Sequence, residues 1–282
     1  MRYFISIIIL LLVCTHPTQT VYSQILKRST EVSRVNSVRV IVPDFDSAGT
    51  GFFLDSMHIV TCFHVIAQIQ IIDPSKGQVQ WGIANNISVT INEGETIPAS
   101  CISVPTEKDP SPLLHDFAIL KLSRKPKVSR AGLPIYKEKI LPDIGADIIF
   151  SGYPLGAPTM LTHKGYISGI TEDRNLICIQ ASINKGNSGG ALLTEKGEVI
   201  GIISNREGGI SKGLADVRSH ITVMEQGRTG VQTSVSLGGV NTLPVMKELI
   251  ATLDKYISPG IGYAHSIKYL QEYLIRNPNL LK

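Results

Sequence analysis

The sequence predicts an all-β protein with an antiparallel arrangement of many short strands, followed by C-terminal helices. From residue 38 onward, short runs rich in β-branched and aromatic residues are separated by Gly, Pro, Asn and Asp. Turn sequences such as Asn92-Glu93-Gly94 and Lys196-Gly197 stand between neighbouring runs. Helical patterns do not alternate with these runs, so a doubly wound parallel sheet is disfavoured.

The individual elements follow from hydrophobic periodicity and turn residues. The clearest strand predictions are Val38–Val42, Gly51–Leu54, Ile59–Cys62, Ile87–Ile91, Phe117–Leu122, Ala146–Phe150, Leu176–Ile179 and Val199–Ile203. Helical periodicity then predicts helices over 243–257 and 266–276, with a short last strand at 260–264 between them. Residues 206–241 are polar and glycine-rich, which predicts a long surface excursion in an insertion covering about 206–258.

Composition excludes several classes of protein. The chain has 282 residues, of which 43% are hydrophobic and 18% charged, with a net charge of +4. No run of five or more basic residues occurs, so nothing indicates binding to nucleic acid. The histidines and cysteines show neither H-E-x-x-H nor paired-cysteine spacing, so we expect no metal and no cofactor.

The first 23 residues have the order of a secretory signal peptide. Arg2 precedes an apolar run, Phe4 to Val13, and a polar stretch then ends at the small residue Ser23. The apolar run is too short to cross a bilayer comfortably, although an uncleaved anchor is the alternative. We therefore expect an exported protein, secreted or periplasmic, whose mature chain 24–282 has no stable membrane span.

Cleavage near residue 23 would remove Cys14 and leave an odd number of cysteines. The remaining three are Cys62, Cys101 and Cys178. At most one disulfide can then form within the chain, and a buried thiol is the expected state of each cysteine in its apolar context.

The sharpest motif is Gly186-Asn187-Ser188-Gly189-Gly190, which lies between two apolar runs. Glycines permit a tight turn that exposes the serine and turns backbone N–H groups inward. A serine in such a turn can act as a nucleophile when a base and oxyanion donors are close to it. A structural hairpin loop is the alternative interpretation of the pentapeptide.

Two further residues complete a possible catalytic set. His64 follows the predicted strand Ile59–Cys62, and Asp116 enters the predicted strand Phe117–Leu122. A buried carboxylate is costly unless it is paired, and holding a histidine N–H is one such arrangement. His115 would point to the opposite face of an extended chain, so we expect it at the surface.

The order His64, Asp116, Ser188 is that of the chymotrypsin arrangement. The motif also satisfies G-x-S-x-G, so an α/β-hydrolase esterase with Asp254 and His265 is a rival. That fold requires a helix after the serine, whereas residues 190–203 predict a hairpin. A catalytically silent binding protein on a protease fold is a third possibility.

The sequence resembles the trypsin-like peptidases, and among them the HtrA (DegP-like) branch. The matching stretches are G-T-G-F-F-L-D, I-V-T-C-F-H-V, D-F-A-I-L-K-L, G-Y-P-L-G, K-G-Y-I-S-G-I, A-S-I-N-K-G-N-S-G-G-A-L-L, G-E-V-I-G-I-I and G-I-G-Y-A. The resemblance covers about residues 37–205 and 259–276 in the family's order. It implies two six-stranded antiparallel β-barrels with the active site between them. Few residues follow the terminal helix, so we expect no PDZ domain.

The resemblance also implies roles for individual residues. Ser188 is the expected nucleophile of a serine endopeptidase, His64 its base and Asp116 the partner of the histidine. The backbone N–H groups of Gly186 and Ser188 are expected to form the oxyanion hole.

The resemblance extends to the primary specificity pocket and to activation. Ser182 stands where a carboxylate would select basic residues, so a small, apolar pocket is expected. The residues predicted to bind substrate are Ser182, Ile183, Ile203 and Ser204. Asn187 replaces the aspartate that pairs with a newly cut N-terminus in zymogens, so activity is expected without trimming to a defined residue.

Overall fold

The computed structural model of the chain describes residues 23–73, 78–91, 94–104, 115–138, 140–173, 175–206, 221, 236–237, 240–256 and 260–281. The predicted signal peptide therefore lies almost wholly outside the described residues. Among those that are described, no helix combines the length and apolarity needed to cross a membrane.

Six antiparallel strands close the first barrel, in the order β1-β2-β3-β8-β7-β6. They are β1 (Ser37–Val42), β2 (Ser47–Phe53), β3 (His58–Thr61), β6 (Ile87–Ile91), β7 (Thr96–Ser103) and β8 (Ala118–Leu122). Pairing of β1 with β6 closes the sheet.

A second closed barrel follows along the chain, in the order β10-β11-β16-β13-β12-β9. Its strands are β9 (Asp147–Gly152), β10 (Leu161–Ile170), β11 (Leu176–Gln180), β12 (Ala191–Thr194), β13 (Val199–Arg206) and β16 (Ile261–Ser266). The two six-stranded antiparallel barrels confirm the predicted fold class. The antiparallel pairing of β12 with β13 is the expected hairpin, and it excludes the α/β-hydrolase fold with its helix after the serine.

Alternation of side chains directs apolar residues into each barrel. In β6, Ile87, Val89 and Ile91 are buried, and the residues between them are more exposed. In β11, Ile177 and Ile179 point inward in the same way. Burial of one such side chain contributes about 1.5–3 kcal/mol, so the strand pattern itself fixes which face of each sheet becomes the core.

Other elements lie outside the barrels. Helix α1 spans residues 23–36, α2 (Phe63–Ile66) follows β3, and a hairpin of β4 (Ala67–Asp73) and β5 (Gln78–Ile83) comes next. The later elements are β14 (Ser236–Leu237), β15 (Val240–Asn241), α3 (Thr242–Tyr256) and α4 (Lys268–Arg276).

Helix α1 ties the first barrel to the second. It runs directly into β1, and the buried Ser33 donates its hydroxyl to Ser151 Oγ of β9 at 2.8 Å. Arg34 also donates to Thr162 Oγ1 of β10 at 3.1 Å. The chain that starts the first barrel is therefore anchored on the outside of the second.

The predicted helices in the C-terminal region agree with the structure to within two residues. The helix predicted over 266–276 begins at Lys268, because Ser266 still belongs to β16 and pairs with Gly201. Most of the predicted surface excursion lies outside the described residues. In the described part, Ile221 packs against Leu243 and Ile250 in a small apolar cluster of its own.

Candidate active site

His64 is presented by a single helical turn. Phe63, Val65 and Ile66 of α2 are buried at 0–3% exposure and fix the turn on the first barrel. The His64 side chain, by contrast, keeps 36% of its surface exposed. The turn thus anchors itself through its apolar residues and leaves the imidazole accessible.

Asp116 lies beside this histidine because β3 pairs with β8. The register places Thr61 opposite Ala118, so the residues just after β3 and just before β8 are neighbours. His64 Nδ1 and Asp116 Oδ2 are 2.7 Å apart, and the His64 backbone N–H donates to Asp116 Oδ1 at 3.1 Å. A carboxylate oxygen can only accept here, so Nδ1 carries the proton and the other ring nitrogen is available as a base.

The environment keeps Asp116 ionised. Its burial opposes the charged form, but the hydrogen bond from the His64 ring, the favourable electrostatic interaction with that ring, and hydrogen bonds from Ser204 and the His64 backbone outweigh burial, so the pKa of Asp116 is lowered. Its backbone adopts a left-handed φ of 38°, which is uncommon for a residue other than glycine. Sparsely populated conformations of this kind are found at functional sites.

Ser188 lies in a tight turn between β11 and β12, which we call the serine turn (residues 184–190). Gly186 and Gly189 have φ values of 96° and 91°. A Cβ atom on Gly186 would lie 2.3 Å from Tyr153 O, and one on Gly189 would lie 2.0 Å from Thr50 O. Both positions therefore require glycine for conformation and for space.

Two amides of the serine turn are directed away from the protein's own acceptors. Within the described part of the chain, the N–H groups of Gly186 and Ser188 donate to no protein atom. In each trans peptide the carbonyl that opposes the amide is held: Lys185 O accepts from Leu155 N at 2.7 Å, and Asn187 O accepts from Gly190 N at 3.0 Å. The turn is thus arranged so that both amides can donate hydrogen bonds to an anionic oxygen.

The Ser188 hydroxyl donates to the backbone carbonyl of Ser204 at 2.7 Å. No hydrogen bond joins Ser188 to His64 among the described residues. The Ser204 side chain in turn donates to Asp116 Oδ2 at 2.5 Å. Two of the three predicted catalytic residues are hydrogen-bonded to one another, and Ser204 connects the third to them.

The residues predicted to bind substrate differ in placement. Ser182 is exposed, whereas Ile183 and Ile203 are buried. Ile183 packs against Gly262 of β16, where a Cβ atom would lie 2.1 Å from Ile183 Cδ1. Ser204 directs its hydroxyl to Asp116, so only its backbone faces Ser188. Their role in substrate binding stays a prediction.

Cys62 is fully buried and lies close to the His64–Asp116 pair. Its thiol, the His64 ring and the Asp116 carboxylate each place one potential metal-ligand atom within 4.8 Å of the others. Burial and the negative charge of Asp116 raise the pKa of Cys62 well above its usual value, which favours the protonated thiol. The thiol donates to Ile203 O at 3.2 Å, which is consistent with a protonated, packed cysteine. Cys62, Cys101 and Cys178 form no disulfide among the described residues. The expected burial is confirmed for Cys62, whereas Cys101 and Cys178 are only half-buried.

The expectation that His115 lies at the surface is wrong. The residue is 5% exposed and its ring stacks on Tyr269 of α4. The prediction assumed an extended chain, in which neighbouring side chains point to opposite faces. The left-handed φ of Asp116 breaks that alternation, so both residues turn inward.

Sequence reasoning also missed Thr50, which contacts the serine turn through both its backbone and its side chain. Its N–H donates to Ser188 O at 2.8 Å, and its hydroxyl donates to Gly186 O at 2.6 Å. The available signal was a polar residue between two glycines in an apolar strand, Gly49-Thr50-Gly51.

The chain is similar to known proteases in sequence and to a solved protease structure in fold. Residues 49–202 match the trypsin-like peptidase domain family. The chain is 33% identical over 135 residues to the serine protease Do-like HtrB of Bacillus subtilis, covering 43% of this chain and 27% of that protein. It is 31% identical over 166 residues to protease Do-like 1, chloroplastic, of Arabidopsis thaliana, covering 55% and 32%. With the periplasmic pH-dependent serine endoprotease DegQ of Escherichia coli it shares 27% identity over 167 residues, covering 56% and 31%.

The chain thus spans about a third or less of the length of these three relatives. Among solved structures, the inactive form of the Rv3671c protease of M. tuberculosis aligns with a TM-score of 0.53 at 17% identity, covering 88% of this chain and 92% of that one. This likeness shows the fold. The matched domain covers more than half of the sequence, so the chain belongs to the trypsin-like peptidase family, and the relatives described above are proteases of the predicted HtrA branch.

Proposed function

We propose that the chain is a serine endopeptidase that cleaves proteins or peptides through an acyl-enzyme at Ser188. The observation that carries this proposal is the His64–Asp116 pair at 2.7 Å, together with a serine turn whose Gly186 and Ser188 amides donate to no atom of the described residues. The family match and the protease relatives support the same conclusion.

The chemistry assigns one task to each group. Ser188 Oγ leaves the Ser204 carbonyl by rotation, attacks the scissile carbonyl carbon and gives its proton to the free ring nitrogen of His64. The N–H groups of Gly186 and Ser188 stabilise the resulting oxyanion. Collapse breaks the C–N bond as His64 protonates the leaving amine, and water then releases the acyl group by the same route.

The second candidate is a catalytically silent binding protein. The observation in its favour is that the Ser188 hydroxyl is bonded to Ser204 O and not to His64. In favour of the enzyme, His64 is paired with Asp116, and Ser204 contacts both Asp116 and Ser188. We therefore prefer the enzyme.

A fluorophosphonate probe tests the choice. Wild-type protein is expected to be labelled covalently and to degrade unfolded casein, while Ser188→Ala shows neither. His64→Ala is expected to reduce labelling by at least about 10³-fold, because the base is lost. Ser123→Ala, at an exposed position just after β8 and outside the proposed catalytic and substrate-binding groups, serves as the matched control. Absence of labelling in folded wild-type protein would favour the binding protein.

We further propose a primary pocket that prefers small apolar residues. Ile183 fills space against Gly262, and no carboxylate stands at the exposed Ser182. A peptide library is expected to give cleavage after residues such as Val, Ala or Leu. Ile183→Ala should raise kcat/KM for a larger residue such as Phe relative to Val by about 10-fold or more. A wild-type preference for basic or acidic residues contradicts this proposal.

Export through the N-terminal segment is the remaining part of the proposal. The described part of helix α1 spans residues 23–36, and its Ser29 and Ser33 are buried, so cleavage near residue 23 leaves these packed residues in the mature chain. N-terminal sequencing of the exported protein is expected to begin near Gln24. A mature protein that still carries Phe4 to Val13 contradicts cleavage at this position.

A further inference from the structure

Thr50 is a fully buried polar residue in β2 of the first barrel, outside the predicted catalytic set. Its hydroxyl donates to Gly186 O at 2.6 Å and accepts the N–H of Tyr153 at 2.9 Å. Both hydrogen bonds reach segments of the second barrel that surround Ser188. A single hydroxyl therefore fixes the serine turn and its neighbouring loop to each other.

The peptide that Thr50 holds lies between the two peptides that supply the candidate oxyanion amides. Its carbonyl, Gly186 O, accepts from Thr50, and its amide, Asn187 N, donates to Asn184 O at 3.0 Å. Rotation of this central peptide would change the torsions on both sides and turn the Gly186 and Ser188 amides away from a common point. Because hydrogen bonds hold this peptide at its carbonyl and at its amide, the Gly186 and Ser188 N–H groups keep pointing toward the same position.

The loop beside the turn is coupled through the same hydroxyl. Tyr153 N–H donates to Thr50 Oγ1, and two residues later Leu155 N–H donates to Lys185 O at 2.7 Å. The second bond orients the Gly186 amide, because Lys185 O opposes it across a trans peptide. Thr50 thus supports the Gly186 amide in two ways. It binds Gly186 O on the C-terminal side, and it holds the loop whose Leu155 binds Lys185 O on the N-terminal side.

The backbone of Thr50 leaves little freedom for its side chain. Thr50 N–H donates to Ser188 O at 2.8 Å, and Thr50 O accepts from Thr61 Oγ1 at 2.7 Å. These two hydrogen bonds hold the Thr50 backbone in place, so its hydroxyl is positioned next to Gly186 O.

We infer that Thr50 is a positioning residue of the oxyanion hole, acting through the Gly186–Asn187 peptide. The inference rests on the proposed endopeptidase function. The role requires one group that donates and accepts at once, which serine also provides and which the isosteric valine lacks.

The test compares Thr50→Val with Thr50→Ser, using kcat per active site titrated with the fluorophosphonate. Thr50→Val is expected to lower kcat about 10- to 100-fold with KM nearly unchanged, less than the full loss of an oxyanion donor. Thr50→Ser should stay within about 3-fold of wild type, because it keeps the hydroxyl. If Thr50→Val does not fold, Thr50→Ala removes the same hydroxyl with less bulk.

A transition-state analogue separates positioning from general stability. Ser188 adds reversibly to a peptidyl trifluoromethyl ketone, and the hemiketal oxyanion occupies the hole while the proton passes to His64. The inhibition constant should weaken in Thr50→Val by the same factor as kcat/KM. A buried threonine in the β12–β13 hairpin provides the control: Thr194 Oγ1 accepts the N–H groups of Lys196 and Glu198. Thr194→Val is expected to lower the melting temperature without changing kcat per titrated site.

Unchanged kcat and unchanged inhibition in folded, titratable Thr50→Val overturn the inference while the proposed function stands. Absence of labelling and of casein cleavage in wild type overturns the proposed function itself. A loss in Thr50→Val that Thr50→Ser does not restore also contradicts the hydroxyl's role.

Discussion

The two halves of the candidate active site are held in place by different kinds of interaction. On the first barrel, His64 and Asp116 are joined by side-chain hydrogen bonds, with Ser204 reaching across to the same carboxylate. On the second barrel, the serine turn is held mainly through backbone groups and depends on glycines whose missing Cβ atoms leave room for neighbouring carbonyls. The geometry of the His64–Asp116 pair therefore depends on side-chain functional groups, and that of the serine turn depends on the conformation of the main chain.

This difference predicts two kinds of sensitivity to mutation. A change of a single atom type should disable the His64–Asp116 side without affecting folding strongly. The serine turn should instead be disabled by an added methyl group, with a simultaneous loss of stability. Substitutions that reverse this pattern would show that the two sides are not built as described.

The largest effect is expected for Asp116→Asn. The amide cannot hold the same histidine tautomer, so kcat should fall by about 10⁴-fold while the fold is retained. Stopped-flow or steady-state hydrolysis of a peptide substrate, with circular dichroism as the folding check, measures both. Near-normal turnover in this variant would remove Asp116 from the catalytic set.

Gly189→Ala comes next and probes the backbone side. The left-handed φ and a 2.0 Å approach of the new Cβ to Thr50 O should together destabilise the fold by about 2–5 kcal/mol. Gly94→Ala is the matched control, since Gly94 has a similar φ of 82° but, apart from its chain neighbours, no described residue within 4 Å of its Cβ position. The control substitution should lower the free energy of unfolding, measured with urea, by only about 1–2 kcal/mol. Equal losses in the two variants would mean that the close packing of the serine turn contributes nothing.

The smallest effect concerns acid stability. The pKa of Asp116 is lowered in the folded protein, so its ionised form stabilises the fold above the unfolded-state pKa of about 3.9. That contribution should be lost as the pH falls through the lower folded pKa. Urea unfolding between neutral pH and about pH 3 should therefore show a steeper loss for wild type than for Asp116→Asn.

Asp44→Asn controls for the removal of a surface carboxylate, because backbone hydrogen bonds from Asn86 and Asn85 also lower the pKa of Asp44. An Asp116→Asn curve parallel to that of wild type would show that the buried pair has no part in acid unfolding.

The sequence was most informative where alternation and motif coincide. The strand Ile87–Ile91 was predicted with its observed bounds, since every second residue enters the core. Strand β10 was not predicted, because Ile167 is its only fully buried residue and Lys164, His163 and two glycines interrupt the pattern. Helix α1 was missed as well, because its contacts with Ser151 and Thr162 come from strands more than a hundred residues away.

The candidate site shows the same division. Motif spacing predicts His64, Asp116 and Ser188 as the catalytic set, and the fold connects them through hydrogen bonds in which Ser204 contacts both Asp116 and Ser188. The contacts of Thr50 and Ser204 depend on how the two barrels face each other, which no local pattern contains. The buried position of His115 depends on one unusual torsion at Asp116.

The hydrogen bond between the Ser188 hydroxyl and Ser204 O raises the question of how fast that hydroxyl can rotate toward His64. A turn about the single Cα–Cβ bond of a partly exposed side chain takes about picoseconds to nanoseconds, whereas enzymes of ordinary speed complete roughly 1–1,000 cycles per second. The step from Ser204 O to His64 is therefore too fast to govern throughput. Rapid mixing with a peptide substrate should therefore show product formation that begins without a lag.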